Sequence, residues 1–219
     1  MATRSALHAI AEQVMAGARY RAEGRIGLHV TPGGFATPSF GPMAHILQVD
    51  GMWFVVTDAD RTRRVPLPST LSDLASAAGA APGAPDSYPA ETCIGPDEPL
   101  EIDEGALRRL TAWQALGDAA LHTVATDLGA AEVLPPTLWP EHFDVGIRIG
   151  ALNLGVSLGD SSVASPYLYV GPDHRPLPDD AFWNAPFGAA RTWHDVATVD
   201  DAVAFFLDGE RRATALTSA

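Results

Sequence analysis

The chain has 219 residues, 47% of them apolar, and a formal net charge of −13; it can build a sizeable core, is not of disordered composition, and its acidity disfavours nucleic acid or an anionic membrane surface as a partner. All 14 basic residues are arginine, which excludes a Schiff-base lysine and a phosphate-loop lysine. The single Cys93 excludes an internal disulfide and argues against a thiolate zinc site.

In chain order, Ser5 can cap a first helix over residues 6–20, with Leu7, Ile10 and Val14 as its apolar stripe and His8 one position off it, on the surface. Residues 25–30 alternate as a strand, with Ile26, Leu28 and Val30 on one side and Arg25 and His29 on the other. The Pro- and Gly-dense PGGFATPSFGP is read as a loop whose Phe35 and Phe40 cover a core edge. Asp50-Gly51 signals a type I′ hairpin turn, pairing Val49 with Met52 and Leu47 with Phe54, and residues 61–66 add a strand. A short helix over 71–78 opens at Ser69 or Thr70 and closes near Gly79.

Residues 80–99 hold several prolines and form either a surface connection or a boundary between two halves, 1–80 and 100–219. Asp103 caps a helix over 104–128, ended by Gly129, in which Asp118 and His122 share one surface as a local pair or, alternatively, as two metal ligands. Phe182, Trp183 and Phe187 cluster in a turn-rich stretch, as packing or as a pocket wall. Thr198 and Asp201 resemble a capping box for a last helix over 199–212, followed by a frayed tail over 213–219.

The most informative stretch is 139–172. Side chains of a strand alternate between faces. A two-residue turn at Gly150-Ala151 sets Arg148 opposite Asn153, Gly146 opposite Gly155, and Asp144 opposite Ser157, with aliphatic residues on the other face. Tyr167 and Tyr169 extend the polar face, and the facing glycines leave a shallow hollow. Such a face is either solvated structure or a ligand site. In the second reading His142 and Asp144 handle protons as base and orienting acid, Arg148 binds an anionic group, and Asn153, Ser157, Tyr167, Tyr169 and Trp183 orient the ligand. His142 and Asp144 could also begin a metal site completed by His29, His174 or His194, although no metal and no cofactor is assigned. His194 and Asp195 form a second adjacent pair that would need a turn to cooperate.

No nucleophile elbow, nucleotide-binding loop, dinucleotide glycine pattern or HExxH helix is present. WPEHFD at 139–144, the N-x-G-x-S-x-G-D segment at 153–160 and PYLYVGP at 166–172 resemble a bacterial family, found mainly in actinobacteria, whose function is unknown. More distantly, the layout is similar to a family of unknown function with a strand and glycine turn near its start and a W-x-x-x-F-D segment later. The resemblance implies shared architecture and carries no activity or site residue.

The expectation is an α+β protein of one domain, 1–219, with antiparallel sheets built from hairpins and three or four helices packed on them. It is expected to be cytoplasmic, without a leader peptide or membrane span. It is expected to bind a small polar or anionic molecule over strands 142–170, with or without catalysis. The alternative is an interaction module, a homodimer among its forms, that uses the aromatic loops 35–40 and 182–187.

Overall fold

The structure, a computed structural model, describes residues 2–59, 61–130, 135–174 and 176–217. It is α+β, with two antiparallel sheets of five strands each. The chain forms two compact units, Met1–Ala112 with Leu138–Phe143, and Trp113–Thr137 with Asp144–Ala219. The division falls inside the long helix, and residues 80–99 belong wholly to the first unit.

The first unit opens on α1 (Ala2–Ala9), a π-helical segment (Ile10–Ala16) and α2 (Gly17–Glu23). Ser5 lies inside α1 rather than before it, because the helix starts earlier than its capping signal suggests. Leu7, Ile10 and Val14 are buried as the stripe requires. Glu12 is fully buried too. The wider π turn, rare in short helices and concentrated at functional sites, carries it. Its carboxylate accepts hydrogen bonds from the Glu91 and Thr92 N–H groups at 2.9 and 3.0 Å and from Thr92 Oγ1 at 2.5 Å. Gln13 donates to Thr92 Oγ1 and the Ile94 carbonyl, and the Gly83 N–H donates to the Gln13 carbonyl. The Pro-rich segment is thus fastened along the first helix by polar groups.

Five strands follow in meander order: β1 (His29–Thr31), β2 (Gly34–Ala36), β3 (Ile46–Asp50), β4 (Trp53–Asp58) and β5 (Arg61–Pro66). β1 starts four residues later than the alternation suggests, and Leu28 before it makes only a single bridge to Leu138. β2 corrects the reading of 32–42 as loop throughout. Phe35 is fully buried and pairs with Val49, so core burial overrides the low strand propensity of its glycine-rich surroundings. The β3–β4 turn is Gly51-Met52, one residue later than expected, giving Val49 opposite Phe54 and Leu47 opposite Val56. A type I′ turn at Asp50-Gly51 needs two positive-φ residues, whereas a II′ turn needs only the glycine. Gly51 alone supplies it, at 53°. The shift moves the register by two, so every apolar side chain keeps its face. α3 (Leu71–Ala77) follows, capped by Thr70, whose Oγ1 accepts the Asp73 N–H.

α4 (Glu104–Asp127) is capped by Asp103 and ends before Gly129 at φ 65°. After β6 (Thr137–Trp139), the second unit carries β7 (Asp144–Ile149), β8 (Leu152–Ser157), β9 (Tyr167–Pro172) and β10 (Ala189–Thr192), in the order β10-β9-β8-β7, and α5 (Val199–Thr217). The aliphatic face of this sheet receives two helices at close range. A Cβ on Gly117 of α4 would lie 2.5 Å from Val156, and one on Gly209 of α5 would lie 2.7 Å from Val170. α5 has the expected reciprocal Thr198–Asp201 box and runs five residues past its expected end. Of the tail expected to fray, 213–217 continue the helix and 218–219 lie outside the described residues. No helix among the described residues is long and apolar enough to cross a membrane.

Candidate functional site

The central hairpin has the register its polarity pattern dictates: Asp144 faces Ser157, Gly146 faces Gly155 and Arg148 faces Asn153. Gly150 takes φ 57° while Ala151 stays at negative φ, as a II′ turn requires. The polar face nonetheless has no open hollow at Gly155. A Cβ there would lie 2.3 Å from the Tyr169 ring, so the phenol lies across the glycine and fills the space. Tyr169 donates to Asp144 Oδ2 at 2.5 Å, and Tyr167 donates to Asp160 Oδ2 at 2.5 Å. Phe187 stacks on Tyr167 and meets Tyr169 edge-on. Burial, first, and then the charges of the partner carboxylates push both phenols far above the ordinary tyrosine range.

The sequence-derived candidates therefore separate into three groups. Ser157, Tyr167, Tyr169 and Asp144 join in a hydrogen-bonded layer, with Ser157 and Tyr167 each only 4% exposed. Arg148 and Asn153 face solvent at the strand end, where Arg148 is bonded to Asn153 Oδ1 at 3.3 Å and grips both oxygens of Asp173. His142 is exposed and Trp183 is half-buried, edge-on to Phe182 at 4.9 Å. Among the described residues no three of His, Cys, Asp and Glu could hold a metal ion, so the ligand set of His142 and Asp144 with His29, His174 or His194 does not form. His122 and Asp118 make a loose pair at 3.8 Å. His194 accepts from the Trp193 indole while Asp195 accepts from Thr192, so His194 and Asp195 do not act together.

Next to β10 lies a half-open cavity of about 420 Å³, lined by Phe182, Asn184, Arg191, Thr192, Asp195 and Phe205 among others. Its walls are fixed by short-range bonding. Asn184 exchanges hydrogen bonds with the Ala190 N–H and carbonyl at 2.8 and 3.1 Å, continuing the strand pairing with a side chain. Asp180 accepts the Phe182 N–H at 2.7 Å and turns the loop. Two guanidinium groups stack on the ring walls, Arg212 over Phe182 at 4.6 Å and Arg191 over Phe205 at 5.2 Å. Arg212 is also paired with Asp180 and Asp208. Arg191 makes no ion pair within 4 Å among the described residues, and its charge acts on the Asp201 carboxylate. Hydropathy gives no sign of this cavity, because Phe205, Arg191 and Phe182 come from three separate elements.

The first unit holds a second polar cluster that sequence reading passed over. His8 stacks flat on Phe143 at 5.2 Å and 8°, and its Nε2 lies 2.8 Å from the Pro140 carbonyl. A carbonyl only accepts, so Nε2 carries the proton. Burial, the largest cause, lowers the His8 pKa against the opposing effects of the Pro140 bond and Glu12. The expectation of a surface histidine therefore fails, since Phe143 and Pro140 cover the ring. Phe143 has φ 54°, a strained value for a non-glycine residue. Between Pro140 and Phe143, Glu141 Oε2 is buried with no hydrogen-bond partner among the described residues, and so is the Tyr88 hydroxyl of the same unit. Such an orphaned atom costs about 1–3 kcal/mol. Of the WPEHFD motif, Pro140, Glu141 and Phe143 serve this cluster and His142 does not. The only available signal was the motif itself.

The aromatic loops of the interaction-module reading also divide. Phe35 and Phe40 are buried and offer no surface patch, while Phe182 and Phe187 are half-buried. Comparisons with protein-family models, curated proteins and solved structures find no match.

Proposed function

We propose that the protein binds a small molecule that joins an apolar ring or chain to an anionic group, in the cavity beside β10. The observation that carries this reading is Arg191, a guanidinium stacked on Phe205 at the wall of a cavity of about 420 Å³, with no carboxylate within 4 Å among the described residues and Asp201 within reach of its charge. Small-molecule sites have volumes of about 300–1,000 Å³ and combine apolar walls with a few placed polar groups. A guanidinium supplies a planar, permanently charged fork that matches a carboxylate. Arg148, the anion-binding candidate from the sequence, already grips Asp173, so the role passes to Arg191. The Tyr167–Asp160 and Tyr169–Asp144 layer then acts as rigid support for β9, which pairs with β10 and carries Arg191 at its register.

The test is titration with 4-fluorobenzoate followed by fluorine NMR. Saturable binding in the millimolar range is expected, weakened about tenfold by Arg191→Gln, the fold-change of one charge-assisted hydrogen bond. Arg63→Gln, on an exposed strand of the other unit, leaves it unchanged. Linear, non-saturating shifts, or equal affinity in Arg191→Gln, rule the reading out.

A further inference from the structure

We infer that the ligand of the cavity beside β10 is an α-amino acid with an apolar side chain, its carboxylate on Arg191 and its ammonium on Asp195. The inference rests on the reading of that cavity as an anion-binding site and adds a second charge to it.

Arg191 and Asp195 both line the cavity. They carry opposite charges, yet no ion pair joins them within 4 Å among the described residues. The neighbouring charges are already committed. Arg212 is paired with Asp180 and Asp208. Asp201, which the charge of Arg191 reaches, accepts the Ala197 and Thr198 N–H groups on Oδ2 at 3.0 and 2.9 Å, as the cap of α5. One cation and one anion are left facing the same space.

Local bonding presents Asp195. Its N–H donates to the Thr192 carbonyl at 3.0 Å, closing a turn directly after β10, and its Oδ2 accepts the Thr192 hydroxyl at 2.8 Å. The carboxylate is thus folded back on Thr192, the neighbour of Arg191 in the strand. Asp195 Oδ1 has no partner among the described residues. Thr192 Oγ1, also in the cavity wall, gives its proton to Asp195 and keeps acceptor capacity. The turn therefore offers two oxygens to a group that only donates.

A primary ammonium is such a group, with three N–H donors and no acceptor, while the guanidinium fork matches a carboxylate. An α-amino acid carries both complementary groups on one carbon, as residues 191–195 carry both recognition groups on one turn. A ligand with a carboxylate alone would place it in the field of Asp195, a like charge; an ammonium offsets that repulsion. The remaining wall selects the side chain. Phe182, Phe205, Ala181 and Ala190 are apolar, and both ends of the Asn184 amide are bonded to the Ala190 backbone.

The experiment is titration of the full chain at neutral pH with phenylalanine, hydrocinnamate and phenethylamine, read by amide chemical shifts. The three share a ring; the second lacks the ammonium and the third lacks the carboxylate. Saturable shifts at the cavity-lining residues are expected with phenylalanine, at an affinity about tenfold above that of either analogue, the fold-change of one charge-assisted hydrogen bond. Asp195→Asn should remove the preference for phenylalanine over hydrocinnamate. If hydrocinnamate binds saturably and phenylalanine binds no tighter, the inference is overturned while the anion site stands. If phenethylamine binds as tightly as phenylalanine, or if none of the three binds, both fall. A preference for phenylalanine that persists in Asp195→Asn overturns the inference as well. The comparison of the three ligands on the parent chain needs no variant, so it decides alone if Asp195→Asn does not fold.

Discussion

Two of the phenols that feel a nearby carboxylate end differently. Tyr169 crosses a glycine and closes on Asp144 at 2.5 Å. Tyr88 feels the charge of Glu141, yet its hydroxyl and Glu141 Oε2 both remain without a hydrogen-bond partner among the described residues. The first arrangement fills the space the alternation pattern marks as a hollow and turns it into structure. The second keeps donor and acceptor capacity that the protein itself does not use. Burial and a nearby negative charge raise both phenols, so perturbed acidity alone does not distinguish a hydrogen-bonded pair from an unsatisfied one.

The largest effect should come from Gly155→Val. Its side chain would occupy the volume of the Tyr169 ring, displace the phenol from Asp144 and cost about 3 kcal/mol or more in a urea melt; a loss under 1 kcal/mol would mean that the ring does not lie over residue 155. Tyr169→Phe should cost about 2 kcal/mol, since it removes a hydrogen bond to a carboxylate.

The same variant should alter the alkaline limb of stability. An unfolded tyrosine loses its proton near pH 10, while Tyr169 and Tyr167 keep theirs in the fold. Their stabilisation is therefore intact below about pH 10 and is lost as pH rises above it. Tyr169→Phe should make that decline shallower, as followed by unfolding from pH 8 to 11. Thr198→Ala, which breaks the α5 box, should cost about 1 kcal/mol and serves as a reference for an ordinary capping loss. Tyr88→Phe should be the mildest, within about 0.5 kcal/mol of the parent or slightly stabilising, because its hydroxyl gains no protein bond. A loss of 2 kcal/mol there, equal to that of Tyr169→Phe, would erase the contrast between the two pairs.

The hairpin register was legible because a one-residue slip would have exchanged the aliphatic and polar faces of both strands. The same parity rule preserved the faces of β3 and β4 although the turn was placed one residue early. The occupant of the Gly155 space was not legible. A glycine in a strand says that something approaches closely, but a ligand and a tyrosine from the next strand leave the same mark on the sequence. β2 stayed hidden in a Pro- and Gly-rich run because the burial of Phe35 is a tertiary fact. His8 lay off the apolar stripe of a regular helix. The π turn that begins two residues later and the Phe143 ring stacked on it both lie outside a 3.6-residue reading.

Local periodicity and turn chemistry determined the α+β class, the strand faces and the caps at Asp103 and Thr198, because each depends on neighbours in the chain, and composition excluded lysine and disulfide chemistry. Which polar groups are satisfied and which are left open was decided only in three dimensions. Asp144 meets Tyr169 across 25 residues, and Glu12 meets Thr92 across 80. Hydrogen-bond satisfaction depends on distances of a few tenths of an ångström between residues far apart in the chain, and no pattern along the chain encodes them.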